Sequence, residues 1–537
     1  MSKKAKQLLI ILAAAQFIFT LDSTVMNVSI STLVKDLNTT VTQIQSAIAF
    51  YSLVMAAFMV AGAKIGDIIG RKKAFIIGMI IYGIGSFITS IAPNVQVLKF
   101  GWSLLEGLGA ALAIPAMLSL IAGNYTVPKD RIKAYGTVAA MAGVAAGLGP
   151  IIGGFLTSYA SWRYAFAAEV VIVIWILLRR GLIKDVKLEG PTAKLDVGGV
   201  ILSVAGLGTM VQGILLASTY GLLVARQSYT SIGGILTLNA GQISPSIVFI
   251  GLGIALLLGF AAWEGNRSRQ GKDMLVNLKL FQRPAVGGGT LTILSQQFVL
   301  GGMMYVMALY LQIELGKSAF QTGVVLLPLS LMLLVAASQG ARLVPRFSPR
   351  GIIRMGYLLI LVGVLIIAFR SLDSASDPTF LVSLAITGTG IGLVSSQLQN
   401  LVQSSVTKEQ SSETSGLMST FQNLGMSLGT AIAGVALTAI LIGSSTQLIQ
   451  ENTVLTDSQK QQVTTAVNQK AAIVSDQQLE AALADAPPAA AQQIVEINAT
   501  ARNKALSYSF IVIAILGAFG LMATAQLPKA PLKPTND

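Results

Sequence analysis

The sequence predicts an all-α integral membrane protein with about fourteen transmembrane helices, and three observations carry that expectation. Charged residues make up 11% of the 537 and hydrophobic residues 53%, where a soluble domain would have roughly 25% charged. The apolar residues fall in runs of about 20, the length an α-helix needs to cross a bilayer. The lysines and arginines fall in short clusters between those runs, as orientation signals do, rather than in a stripe.

Lys3, Lys4 and Lys6 precede the first run, residues 8–30. That run is long for a secretory leader and meets no small-residue cleavage site before Lys35, so an uncleaved first span is expected. Spans follow near 46–64, 74–92, 96–122, 134–156 and 163–179, then 195–217 and 246–263. The last six lie near 286–312, 322–341, 351–369, 380–404, 415–443 and 505–527. With the N-terminus in the cytoplasm, roughly 27 of the 37 Lys and Arg fall on that side. An odd number of spans would put Lys529 and Lys533 outside, so fourteen fits better and both termini are cytoplasmic.

Two segments face outward. Thr219–Ser246 is too polar to span, and residues 444–504 are rich in Ala and Gln, with Pro487-Pro488 dividing two helix-prone stretches of an external hairpin. Gly62-Ala63-Lys64-Ile65 after span two recurs as Gly340-Ala341-Arg342-Leu343 after span ten. Parallel repeats of this kind mark transporters. They suggest a six-helix half at 1–180, a two-helix insert at 181–285 and a second half at 286–537.

The net charge of +14 is scattered over these loops, so no nucleic-acid partner is implied. There is no cysteine, hence no disulfide or thiolate site. No nucleotide loop, nucleophile arrangement, metal site or cofactor motif is present, so an enzyme is not expected. With no histidine, proton exchange near neutral pH falls to carboxylates.

Most of the 23 acids lie in loops or at span ends, but Asp22, Glu106 and Glu169 lie within spans one, four and six. An ionisable group in the bilayer core costs several kcal/mol, so it usually faces a partner or cavity and has a role. A carboxyl group removed from water and from cations holds its proton more tightly, so it can exchange protons near neutral pH, and when ionised it offers a cationic substrate a negative charge for which protons compete. The plainer alternative is a protonated acid that only hydrogen-bonds a neighbouring helix.

Between spans two and three, Gly62, Gly66 and Gly70 let helix ends approach, and Asp67 sits among Lys64, Arg71, Lys72 and Lys73. Such a loop suits a charge-locked hinge, with Asp67 pairing with Arg71 and facing the dipole of a helix starting near Thr414. Span five carries Gly147, Gly149, Pro150, Gly153 and Gly154, a close-packing glycine face with a kink. In the second half Gln296, Gln297, Tyr305 and Asn423 are candidates to line a substrate cavity.

Leu21-Asp22-Ser23-Thr24-Val25-Met26-Asn27-Val28, the 62–73 loop, Glu106-Gly107-Leu108-Gly109-Ala110-Ala111 with Pro115, Gly147 to Gly154, and Ser161-Trp162-Arg163 occur in this order. Together they resemble the fourteen-span drug:proton antiporters of the major facilitator superfamily, over essentially the whole chain. The resemblance implies a major facilitator fold: two six-helix halves plus two extra central helices, in the inner (plasma) membrane. It implies a monomer that exchanges protons for lipophilic cations by alternating access. By it, Asp22 matches a coupling or cation-recognition acid, Asp67, Gly70 and Arg71 a conformational lock, and the span-five glycines with Pro150 an antiporter motif. Where the family has arginine, glutamine and asparagine, this chain has Ser103, Glu106 and Glu169. That loss of a positive charge and gain of two acids favours cationic substrates, divalent ones included, or more than one proton per cycle. A dedicated metabolite or Na⁺/K⁺ antiporter, and a non-transporting sensor or scaffold, are the competing readings.

Overall fold

A computed structural model describes residues 2–125, 127–185, 194–230, 236–369, 377–406, 408–470, 479–480, 483 and 487–529. Lys187 and Lys533 of the basic clusters, and part of the 444–504 segment, lie outside the described residues.

Apolar runs that can satisfy their backbone only internally become helices in lipid, and polar caps mark their ends. Ser2 caps α1 (Lys3–Val28), and the short α2 (Ile30–Asp36) follows. Thr40 caps α3 (Val41–Ile69). Gly70, at φ +95°, breaks the chain before α4 (Arg71–Ser90), a conformation only glycine adopts freely. A short α5 (Val95–Leu98) enters a π-helix, Lys99–Glu106, which runs into α6 (Gly107–Asn124). Next come α7 (Pro128–Tyr159), α8 (Arg163–Leu178), α9 (Val197–Tyr220) and α10 (Pro245–Arg269). Then follow α11 (Pro284–Leu309), α12 (Ala319–Val325), α13 (Leu327–Gln339), α14 (Pro349–Phe369) and α15 (Pro378–Gln403). The chain closes with α16 (Lys408–Glu451), α17 (Asp457–Lys470) and α18 (Pro488–Ala523).

Among the described residues, twelve helices are long and apolar enough to cross a membrane, and thirteen if α12 and α13, bent by 43°, form one span. The remaining apolar run is α8, with 16 residues; at 1.5 Å per residue it is about 24 Å long, and the count of fourteen rests on it. Thr219–Ser246 does not span: it holds a small antiparallel ribbon, Tyr229–Thr230 on Thr237–Leu238.

Within the described residues of 444–504, α16 extends to Glu451 as part of a 44-residue helix, α17 follows as a separate helix, and α18 starts at Pro488 and runs 36 residues into the last span. Ala- and Gln-rich sequence has high helix propensity and contains no stop signal there. Ile449, Leu455, Ala490 and Ile497 form the small apolar core of this segment.

Two groups of helices repeat one packing scheme. In the first, α1 packs on α7 and α8, α4 on α6 and α8, and α3 on α6. In the second, α11 packs on α16 and α18, α14 on α15 and α18, and α13 on α15. The paired tetrapeptides occupy matching places: a Cβ on Gly62 would overlap the Ala111 carbonyl of α6, and one on Gly340 the Ser396 side chain of α15. The groups meet where α3 packs on α16 and α7 on α12 and α13. Helix α9 lies across the first seam, with Leu207, Val211 and Leu215 packed against Ala49, Leu53 and Ala56 of α3 and Leu424 and Ala431 of α16.

Candidate functional site

Three carboxylates that the sequence places in separate spans come together inside the first group of helices. One oxygen from each of Asp22, Glu106 and Glu169 lies within 4.8 Å of the others, the one such acid cluster among the described residues. Their exposures are 0%, 0% and 1%, which removes all three from bulk water. Asp22 comes from α1 and Glu169 from α8. Glu106 is the last residue of the π-helix, whose wider turn re-aims side chains and recurs at functional sites. Gly85 of α4 makes room for it, since a Cβ there would lie 2.7 Å from Glu106 Cγ.

The floor of the cluster is one face of α4, where Tyr82, Ser86 and Thr89 recur at helical spacing. The Tyr82 hydroxyl donates to Glu169 Oε2 at 3.1 Å and Ser86 Oγ to the same oxygen at 3.2 Å. Thr89 Oγ1 donates to Glu106 Oε1 at 3.2 Å, and the Trp102 indole N–H donates to Asp22 Oδ1 at 2.6 Å. Each acid keeps one oxygen without a hydrogen-bond partner: Asp22 Oδ2, Glu106 Oε2 and Glu169 Oε1.

The two nearest bases in sequence are engaged elsewhere. Lys99 Nζ donates to Gln43 Oε1 at 2.7 Å, and Arg163 pairs with Asp36 at 3.5 Å and donates to the Ala92 carbonyl at 2.9 Å. Ser103 Oγ donates to the Ala47 carbonyl at 2.8 Å. Two like charges at this spacing repel by about 3 kcal/mol at an effective dielectric constant of 20. The cluster therefore suits an exchange of protons for a cation, and its free oxygens also form a donor set for a metal ion.

A cavity of about 80 Å³ adjoins the cluster between the two groups of helices. Ser23, Thr24 and Asn27 of α1, Tyr51 of α3, Trp102, Pro150 of α7, Met304 of α11 and Met426 of α16 are among its walls. The four residues expected from the second half lie elsewhere. Gln296 donates to the Ile391 carbonyl and Ser395, Tyr305 to Gln45 Oε1 at 3.3 Å, and Asn423 to the Ser419 carbonyl. Gln297 is buried with its Oε1 unpartnered.

In the 62–73 loop, Asp67 and Arg71 form an ion pair of 3.0 Å. Helix α16 begins at Lys408, so Thr414 lies within it rather than at its start; a Cβ on Gly416 would lie 3.9 Å from Ala63 Cβ. At the N-terminus of α4 lies Asp185, whose Oδ1 accepts from the Lys72 backbone N–H at 3.2 Å, a role the sequence did not reveal. Gly66 lies against α4, where a Cβ would meet Ala74 Cβ at 3.5 Å. The span-five glycines serve two neighbours. A Cβ on Gly149 would overlap Thr24, and one on Gly153 would lie 2.8 Å from Val25 Cα, both in α1. Gly154 abuts the Ala319 carbonyl of α12, and Gly323 of α12 abuts the Pro150 carbonyl. Gly147 is looser, 3.9 Å from Ser330 Cβ.

Sequence reasoning missed Trp102, Tyr51, Tyr82, Ser86 and Thr89. The one signal available was the polar recurrence at 82, 86 and 89 in an otherwise apolar span.

Residues 12–430 match the family model described as Major Facilitator Superfamily. The chain belongs to that superfamily. It is 29% identical over 449 residues to a probable actinorhodin transporter of Streptomyces coelicolor, covering 82% of this chain and 74% of that one. It is 28% identical over 430 residues to a puromycin resistance protein of Streptomyces alboniger, covering 79% and 80%. Among solved structures it resembles a bacterial homologue of the human lysosomal transporter Spinster in an inward-facing, unoccupied conformation, at TM-score 0.62, 15% identity and full coverage of both chains. That likeness concerns the fold. As a member of the superfamily the chain is a multi-span membrane transporter of small molecules.

Proposed function

We propose that this transporter is a proton-driven antiporter that exports lipophilic cations from the cytoplasm across the plasma membrane. Relatives named as a probable actinorhodin transporter and a puromycin resistance protein support the movement of drug-like compounds. The observation that carries the reading is the convergence of Asp22, Glu106 and Glu169 with three unpartnered oxygens and, among the described residues, no Lys or Arg engaged with them. Such a cluster needs protons or a cation for charge balance, so one displaces the other. Residues 1–180 and 286–537 act as the rocking halves around the cavity, with 181–285 inserted between them. The Asp67–Arg71 pair biases the balance between conformations, and the side bearing the N-terminus faces the cytoplasm. The monomer is the working unit.

The test uses inverted vesicles holding an inside-acid pH gradient, with proton release recorded as cations are added. Release by several unrelated lipophilic cations, lost in Asp22→Asn, Glu106→Gln or Glu169→Gln, is the expected result. Release by Na⁺ or one metabolite alone would replace multidrug export with a dedicated antiporter. No release by any solute would remove proton coupling.

A further inference from the structure

The cavity and the acid cluster share one structural element. Tyr51 and Trp102 stack face to face, with ring centroids 4.8 Å apart and planes 8° from parallel. Both line the cavity, whereas Asp22, Glu106 and Glu169 do not. The same Trp102 donates its indole N–H to Asp22 at 2.6 Å. The Tyr51 ring is buried, and its hydroxyl lies close enough to Asp22 to interact with it directly.

We propose that the Tyr51–Trp102 stack is the cation-binding wall of the cavity, selective for flat, delocalised organic cations, and that Trp102 transmits the protonation state of Asp22 to the bound cation. The inference rests on the cation-export reading above and adds which surface recognises the cation. Aromatic faces attract cations through their quadrupole, and the attraction grows when both partners are shielded from water. Here Asp22 accepts from the Trp102 indole N–H and none of the three acids lines the cavity, so their negative charge reinforces the attraction without a salt bridge that would demand a localised cationic head. Ionised Asp22 polarises the indole N–H and makes the ring face more negative. Protonated Asp22 gives up part of that bond, which lowers the wall's affinity at the moment of release. The flanking walls are apolar or weakly polar, with Met304 and Met426 among them, as a broad-specificity pocket requires. The closed space of about 80 Å³ is below the ~300 Å³ that drug-sized ligands occupy, so the face is presented fully when the helix groups part.

The test is equilibrium binding to the purified full-length protein, comparing ethidium with an uncharged phenanthridine of the same ring system across pH. The wild type prefers ethidium, and more so as pH rises. Tyr51→Leu and Trp102→Leu each weaken ethidium by about tenfold or more and the neutral ligand far less, and Tyr51→Phe, which keeps the π face, restores most of the preference. Trp102→Phe keeps a ring but lacks the N–H, so it binds the cation with a flattened pH dependence. This variant preserves packing and keeps the test readable should the Leu variants fail to fold. Equal losses for both ligands, or a pH dependence untouched by Trp102→Phe, would overturn the proposal. Wild-type binding with variants indifferent to charge removes this inference alone, whereas a wild type that ignores ethidium removes cation export with it.

Discussion

At the scale of single residues, the chemistry depends on how few partners the three acids have. Glu106 accepts one hydrogen bond, from Thr89, and leaves its other oxygen free. An amide of the same shape can keep that bond but cannot exchange a proton. Glu106→Gln is therefore expected to change thermal stability by less than about 1 kcal/mol while lowering proton-coupled export at least about tenfold. Unfolding curves and vesicle flux on the same preparation check both halves; unchanged flux would reduce Glu106 to a helix-packing group. Asp22, Glu106 and Glu169 were legible individually, because any acid inside an apolar run stands out. Their meeting was not, because depth in each span leaves open which way each helix face turns.

At the scale of helices, small residues decide which spans touch. Gly153 presses its backbone on Val25, with no space for a side chain, and thereby holds α7 against the helix that carries Asp22. Gly153→Val is expected to cost about 1–3 kcal/mol through overpacking and to disturb transport, whereas Gly136→Val, at a position with nothing within 4 Å, should leave both near wild type. Thermal unfolding of the pair measures the contrast. The middle of α18 is fixed differently: Arg502 pairs with Glu314, the last residue of the short π-helix that ends the α11 span, and their side chains are 3% and 14% exposed. Removing one charge from a buried pair strands the other, so Glu314→Gln should destabilise by about 3–5 kcal/mol, read as a fall in Tm. The sequence showed the glycine face of span five but not that it serves two neighbours, which requires knowing where α1 and α12 lie.

At the scale of the whole molecule, hydrogen bonds join the two helix groups on the side opposite the N-terminus. Gln45 donates to the Thr430 and Ala431 carbonyls, Ser427 to the Ala49 carbonyl at 2.7 Å, Gln312 accepts from Ser31 at 2.6 Å, and Phe320 N–H donates to Ser158 at 3.0 Å. This closed side must open if the groups rock. The chain has no cysteine, so Ala49→Cys with Ser427→Cys introduces a single reactive pair. Bridging it with a short thiol crosslinker is expected to abolish export and to be reversed when the bridge is reductively cleaved; transport by the bridged protein would exclude opening at this seam. Helix α9, packed on both α3 and α16, covers the seam.

The sequence by itself determined the membrane class, nearly every span and the presence of three intramembrane acids. Transfer into a bilayer is set segment by segment by composition, and each helix satisfies its own backbone within that segment. Tertiary structure alone decided that the acids form one cluster, that the Tyr51–Trp102 stack joins it to the cavity, and that Asp185 sits at the start of α4. Those outcomes depend on helix rotation and approach, set by a π-turn, by glycine contacts and by residues far apart in the chain, and no local run of sequence encodes them.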